Sequence, residues 1–155
     1  MPERPSAEEI RKWHRWFAVE CNNVAWTLAE RPDRSEAEDT EMLSVAHASL
    51  HHWRQVGTEE NAALGEMLVA QVYALLGHGA PAMRYAVRMF DWVTANRRPA
   101  WEVAFAHAVL ANAARAAGKR ALYAERYRSA AELGAGLKPE DKAIFGATFR
   151  LIPPP

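Results

Sequence analysis

The sequence predicts an all-α protein: three stacked antiparallel helix hairpins and a C-terminal capping helix, in a single domain over residues 1–155. Three observations carry this expectation. Apolar residues recur at helical spacing, and no stretch alternates as a half-buried strand would. Residues that start and stop helices punctuate the chain at short intervals. A weak internal repeat relates the middle of the chain to its last third.

The first helix is expected at 7–30, opened by Ser6-Ala7-Glu8-Glu9, a hydroxyl followed three residues later by a glutamate that can return the cap. Ile10, Trp13, Phe17, Cys21, Val24 and Leu28 form one apolar stripe on it, and Trp16, Val19 and Trp26 a second, nearly opposite. A second capping box, Ser35-Glu36-Ala37-Glu38, opens a helix at 36–56 after the polar turn Arg31 to Arg34. Thr58 can cap the third, at 59–76, which is apolar on nearly every side and so suits the middle of a stack. The fourth to seventh helices are expected at 81–96, 100–117, 119–134 and 140–150. Pro81, Pro99 and Pro139 fall at first-turn positions, and Gly57, Gly77 and Gly118 fall where C-terminal caps belong. Pro153-Pro154-Pro155 reads as a frayed end. Short connections make neighbouring helices antiparallel.

Half of the 155 residues are apolar, enough for one core, and the formal net charge is zero. The balance hides an asymmetry. Met1 to Gly77 holds 7 basic and 13 acidic side chains, His78 to Pro155 holds 12 and 6. Acids loading helix starts account for part of this; head-to-tail association or an anionic partner on the second half is the alternative. A neutral total gives no general pull toward nucleic acid or an anionic bilayer. No apolar run reaches the ~18 residues that span a membrane, and the N-terminus lacks the basic-then-apolar order of a secretory signal. Cys21 is the only cysteine, so no internal disulfide and no cysteine-based zinc site can form. The cytoplasm is the default location, and the excess of Arg over Lys with abundant Ala hints at a GC-rich bacterial genome.

Aligning Gly77 with Gly118 gives an offset of 41 residues, at which Val69-Ala70 meets Leu110-Ala111 and Gln71 meets Asn112. Val69-Ala70, Tyr73, Gly77 and Ala82 in one copy, and Leu110-Ala111, Gly118, Tyr127 and Ala130 in the next, resemble a degenerate tetratricopeptide repeat. The departures are polar residues, Glu66 and His107, at the first bulky packing position, a missing inter-repeat proline, and a spacing above the usual 34. The resemblance covers about residues 59–135 and the first hairpin loosely. Ala46-His47-Ala48-Ser49, Trp53, Val56-Gly57-Thr58 and Asn61 are also similar to short uncharacterised bacterial helical-repeat proteins. What the resemblance implies is a right-handed superhelical stack whose first helices line a ligand groove. It places Gln71 and Asn112 at the position that contacts a ligand's backbone, Trp26 loosely in the first copy, and Met67, Ala74, Ala108 and Arg115 beside them. Asn22-Asn23 could join that groove or be solvated.

Signatures of phosphate loops, nucleophile elbows and zinc proteases are absent. One metal-like pattern remains: His47 and His51 are four apart on one helical face, and Glu66 falls level with them across the Gly57-Thr58 turn. Two imidazoles and a carboxylate would suit Zn²⁺ or Fe²⁺, although Arg54 shares that face. The structural alternative makes Glu66 and His107 a buried hydrogen-bonded pair. His14 and His52 read as surface residues without partners. Tyr85, Arg88 and Trp92 form an aromatic stripe of the kind found at interface centres, opposite a core face of Met83, Val87 and Phe90.

Three functions follow as expectations. The first is a non-enzymatic module holding a protein or peptide near Gln71, Asn112 and Arg115, with no cofactor. The second is a small metal-dependent enzyme or sensor using His47, His51 and Glu66. The third is a homo-oligomeric scaffold using the Tyr85 and Trp92 face.

Overall fold

A computed structural model describes residues 3–155; Met1 and Pro2, part of the N-terminus read above, lie outside the described residues. Seven helices follow one another: α1 (Ala7–Ala29), α2 (Glu36–Val56), α3 (Glu59–Leu75), α4 (Gly79–Ala95), α5 (Ala100–Ala116), α6 (Arg120–Ala135) and α7 (Pro139–Phe149). The described residues contain no strand. Each element lies within a few residues of its expected span.

The starts follow local chemistry. Ser6 and Ser35 each cap their own helix through the reciprocal bonds of a capping box with Glu9 and Glu38, and Thr58 does the same with Asn61. Pro139 opens α7 at the first turn, where its missing N–H costs no bond. Pro99 is instead the residue before α5, and α4 begins two residues ahead of Pro81. The stops differ by context. Gly77 and Gly118 take φ of 76° and 72°, and the residue after each donates back to Tyr73 or Ala114. The equivalent geometry at an offset of 41 is the structural content of the sequence repeat. Gly57 is not a left-handed cap: the chain there runs extended because Thr58 must at once start α3.

The helices pair as hairpins α1–α2, α3–α4 and α5–α6. These stack through α2 on α3 and α4 on α5, while α3 touches both α1 and α5, and α7 closes on α5 and α6. Two core clusters meet at α3, one with α1 and α2, the other running through α4 to α7. The second is largely alanine, with Ala82 and Ala86 of α4 against Ala70 and Ala74 of α3 and the alanines of α5. Small side chains let helix axes approach closely. The core face of α4 is therefore Ala82, Ala86, Met89 and Val93, while Val87, expected inside, is exposed.

The apolar stripes of α1 also sit differently from expectation. No described residue before Ala18 is buried, and Trp13, Trp16 and Phe17 lie open to solvent. At 23 residues α1 is longer than the 17 of α3. Trp16 and Val19 share a cleft with Gln55, Val56 and Gly57, so they are level with the α2–α3 turn and the preceding turns overhang it. Among the described residues α2 is what covers that end. The C-terminal tail is docked rather than frayed as far as Pro153: Ile152 is buried and the Tyr123 hydroxyl donates to the Pro153 carbonyl.

Candidate functional site: an apolar groove between the first helices of the hairpins

A cavity of about 310 Å³ opens between the first helices of the three hairpins and α7. From α1 come Asn22 and Trp26, with Glu30 at its C-cap; from α3, Leu64 and Met67; from α5, Trp101 and Phe105. Ile144 and Thr148 of α7 complete it. Ile144 is 61% exposed, an isoleucine at the rim that no described residue covers. The walls are kept in place from behind. Phe105 meets Trp26, Trp101 and Phe145 edge-on at ring separations of 6.1, 6.0 and 5.6 Å. Phe145 in turn stacks on Phe149, and a Cβ at Gly134 of α6 would overlap its ring, so α6 and α7 close tightly there. The volume suits one or two large apolar side chains or a small apolar molecule.

Of the expected groove residues, Trp26 and Met67 line this cavity. Gln71 and Asn112 do not: both are 0% exposed. They form a buried relay in which Arg115 Nε donates to Asn112 Oδ1 at 2.9 Å and Asn112 Nδ2 donates to Gln71 Oε1 at 3.1 Å. Their helices pack directly, so positions equivalent at the 41-residue offset meet each other. The relay leaves Gln71 Nε2 without a partner. Ala74 and Ala108 are core alanines, Asn22 reaches the groove, and Asn23 is solvated.

The structure does not bring His47, His51 and Glu66 together as one set. Among the described residues no group of three or more His, Cys, Asp or Glu is placed to hold a metal ion. His47 Nε2 lies 2.8 Å from the Tyr73 hydroxyl, and burial, then the nearby Arg54 charge, pulls its pKa below the usual histidine value. Glu66 is held by two guanidiniums, Arg54 at 3.0 Å and Arg88 at 2.9 Å. This also replaces the expected Glu66–His107 bond. His107 instead packs edge-on against Phe90, its Nδ1 is unpartnered, and burial, then the charge of Arg126, lowers its pKa.

The Tyr85, Arg88 and Trp92 stripe is engaged within the chain. Tyr85 stacks on Tyr73 at 6.0 Å and carries Arg88 over its ring, while Trp92 carries Arg98. Arg98 forms a two-pronged pair with Glu102, which is 1% exposed, and also binds Glu60. That staple ties the α4–α5 turn to the start of α3.

Family models, curated proteins and solved structures offer no match to this chain. What it can do must be read from its own surfaces. No helix among the described residues is long and apolar enough to cross a membrane.

Several features escaped the sequence reading. Trp101 and Phe105 were within reach, because the 41-residue offset puts Phe105 level with Leu64. Ile144 depends on where α7 docks, which no local pattern encodes. His14 and His52, read as partnerless, meet with ring nitrogens 2.7 Å apart and His51 beside them. That contact depends on the register between α1 and α2.

Proposed function

We propose that this chain is a non-enzymatic interaction module, built as a tetratricopeptide-like stack, that seats an apolar segment of a partner protein in the groove between α1, α3, α5 and α7. The observation that carries this reading is Ile144: a large apolar side chain left open at the rim of a cavity walled by two tryptophans and a phenylalanine. Exposed apolar surface around a concavity has a free-energy gain waiting for whatever covers it. The walls are preorganised by ring–ring contacts, which lowers the ordering cost of binding. Gln71 and Asn112, both 0% exposed, lie further along α3 and α5 than the residues that line the groove.

The test uses labelled amphipathic peptides bearing Leu, Phe or Met at helical spacing, followed by fluorescence anisotropy. Ile144→Asn removes apolar rim without touching the core, so far-UV circular dichroism stays unchanged. Affinity should fall about tenfold, the worth of one partly buried aliphatic side chain. Equal affinity of the variant and the unmodified chain would remove the groove from the binding surface.

A further inference from the structure

A second, larger cavity of about 720 Å³ lies beside the overhanging half of α1. Glu8, Arg11, Lys12, Arg15, Trp16 and Val19 form one wall, with Glu8 and Lys12 paired to each other at 3.0 Å, and Val56 and Gly57 at the α2–α3 turn lie opposite. On α1, Arg11, Arg15, Val19, Asn22, Trp26 and Glu30 follow one another at steps of three or four, which is one helical face. The first three line this cleft and the last three line the apolar groove. The two cavities thus lie in succession along one face of α1, and we take them together as one trough. From Arg11 to Glu30 it runs roughly 28 Å at 1.5 Å per residue.

The trough is chemically graded. Arg11 and Arg15 are exposed and make no ion pair among the described residues. Trp16, 59% exposed, and Val19 offer an apolar ledge between these cations and the groove. At the far end stands Glu30, also without an ion pair among the described residues.

We infer that the trough takes a linear peptide with an apolar cluster at one end and Asp or Glu side chains at the other. The apolar cluster fills the groove at Trp26 and Phe105, and the acids lie over Arg11 and Arg15. Glu30 repels the opposite orientation, so the graded charge fixes the direction of the chain. This rests on the groove reading above and adds the chemistry of the partner's flank. Two unpaired guanidiniums beside an open tryptophan favour a carboxylate-bearing segment, since a planar arginine fork matches carboxylate geometry.

A random 16-residue display library selected on the full chain supplies the probe, and winning peptides are then measured singly by anisotropy at low and high salt. The expected winners carry Leu, Phe, Met or Trp with Asp or Glu to one side only. R11E/R15E should weaken them roughly tenfold and flatten their salt dependence, while Ile144→Asn weakens them at either salt. Both variants change exposed side chains and keep the fold. Winners that are apolar but not acidic, and indifferent to R11E/R15E, overturn this inference and leave the groove reading standing. No winners at all overturn both. Sedimentation with vesicles of 3:1 phosphatidylcholine and phosphatidylglycerol that needs Arg11 and Arg15, with no acidic peptide selected, assigns the basic face to lipid and overturns the proposal.

Discussion

Asn112 shows how one residue can look like a binding determinant and be a structural one. Its place in the repeat suggested ligand contact; its complete burial makes it the middle of a relay between Arg115 and Gln71. A buried polar group stripped of its partner bears the desolvation cost alone. Asn112→Ala should therefore lower unfolding stability by about 1–3 kcal/mol in urea titration. The double variant Gln71→Leu/Asn112→Leu should cost less than the two single changes added together, because it removes both halves of the contact. Strict additivity would mean that the two amides do not depend on each other. The sequence could not separate these roles, because the 41-residue offset aligns Gln71 with Asn112 without saying that the aligned positions touch. The arginine partners of Glu66 were hidden for a related reason: Arg88 lies 22 residues away and enters only once α4 is folded against α3.

At the scale of the helix, legibility tracks how local the determinants are. Ser6, Ser35 and Thr58 satisfy backbone donors within their own first turns, so these starts were readable from four residues each. The outward turn of Trp13, Trp16 and Phe17 was not, because it depends on α1 outrunning α3 rather than on the periodicity of α1 itself. That mismatch has a measurable counterpart. None of Ala7 to Phe17 is buried, whereas α3 and α5 are enclosed by several helices. Amide hydrogen exchange should be fastest, among the helices, in the first half of α1 and slowest in α3 and α5. Protection of that half of α1 equal to that of α5 would mean that the overhang is packed by something further.

For the whole molecule, acid sensitivity gathers contributions from separate hairpins. His47, His52 and His107 all have folded pKa values below their ordinary 6.5, chiefly because burial disfavours the charged form. A lowered histidine means that the unfolded chain binds the proton first. The stabilisation is therefore complete above the unfolded value and is lost as pH falls from about 6.5 toward the folded values. Glu9 and Glu38, held low by their capping serines, contribute in a lower window, lost as pH falls below 4.5. The melting temperature should drop between pH 7 and pH 5, and His107→Phe should lessen that drop. A flat profile over this range would mean that the imidazoles are as free to protonate in the folded chain as in the unfolded one.

The alanine seam through α3, α4 and α5 has a mechanical consequence. Alanine has no side-chain torsion to lose on folding and none to switch afterwards. At Ala70, Ala74, Ala82, Ala86 and Ala111 these helices meet through side chains that have no torsion by which to rearrange. The centre of the stack is a stiff spine, and adjustment to an incoming chain is left to the long side chains at its margins. Ile144 and Trp16, both exposed, can turn there while Trp101 stays held against Phe105, so fitting costs a few torsions and leaves the curvature of the scaffold alone.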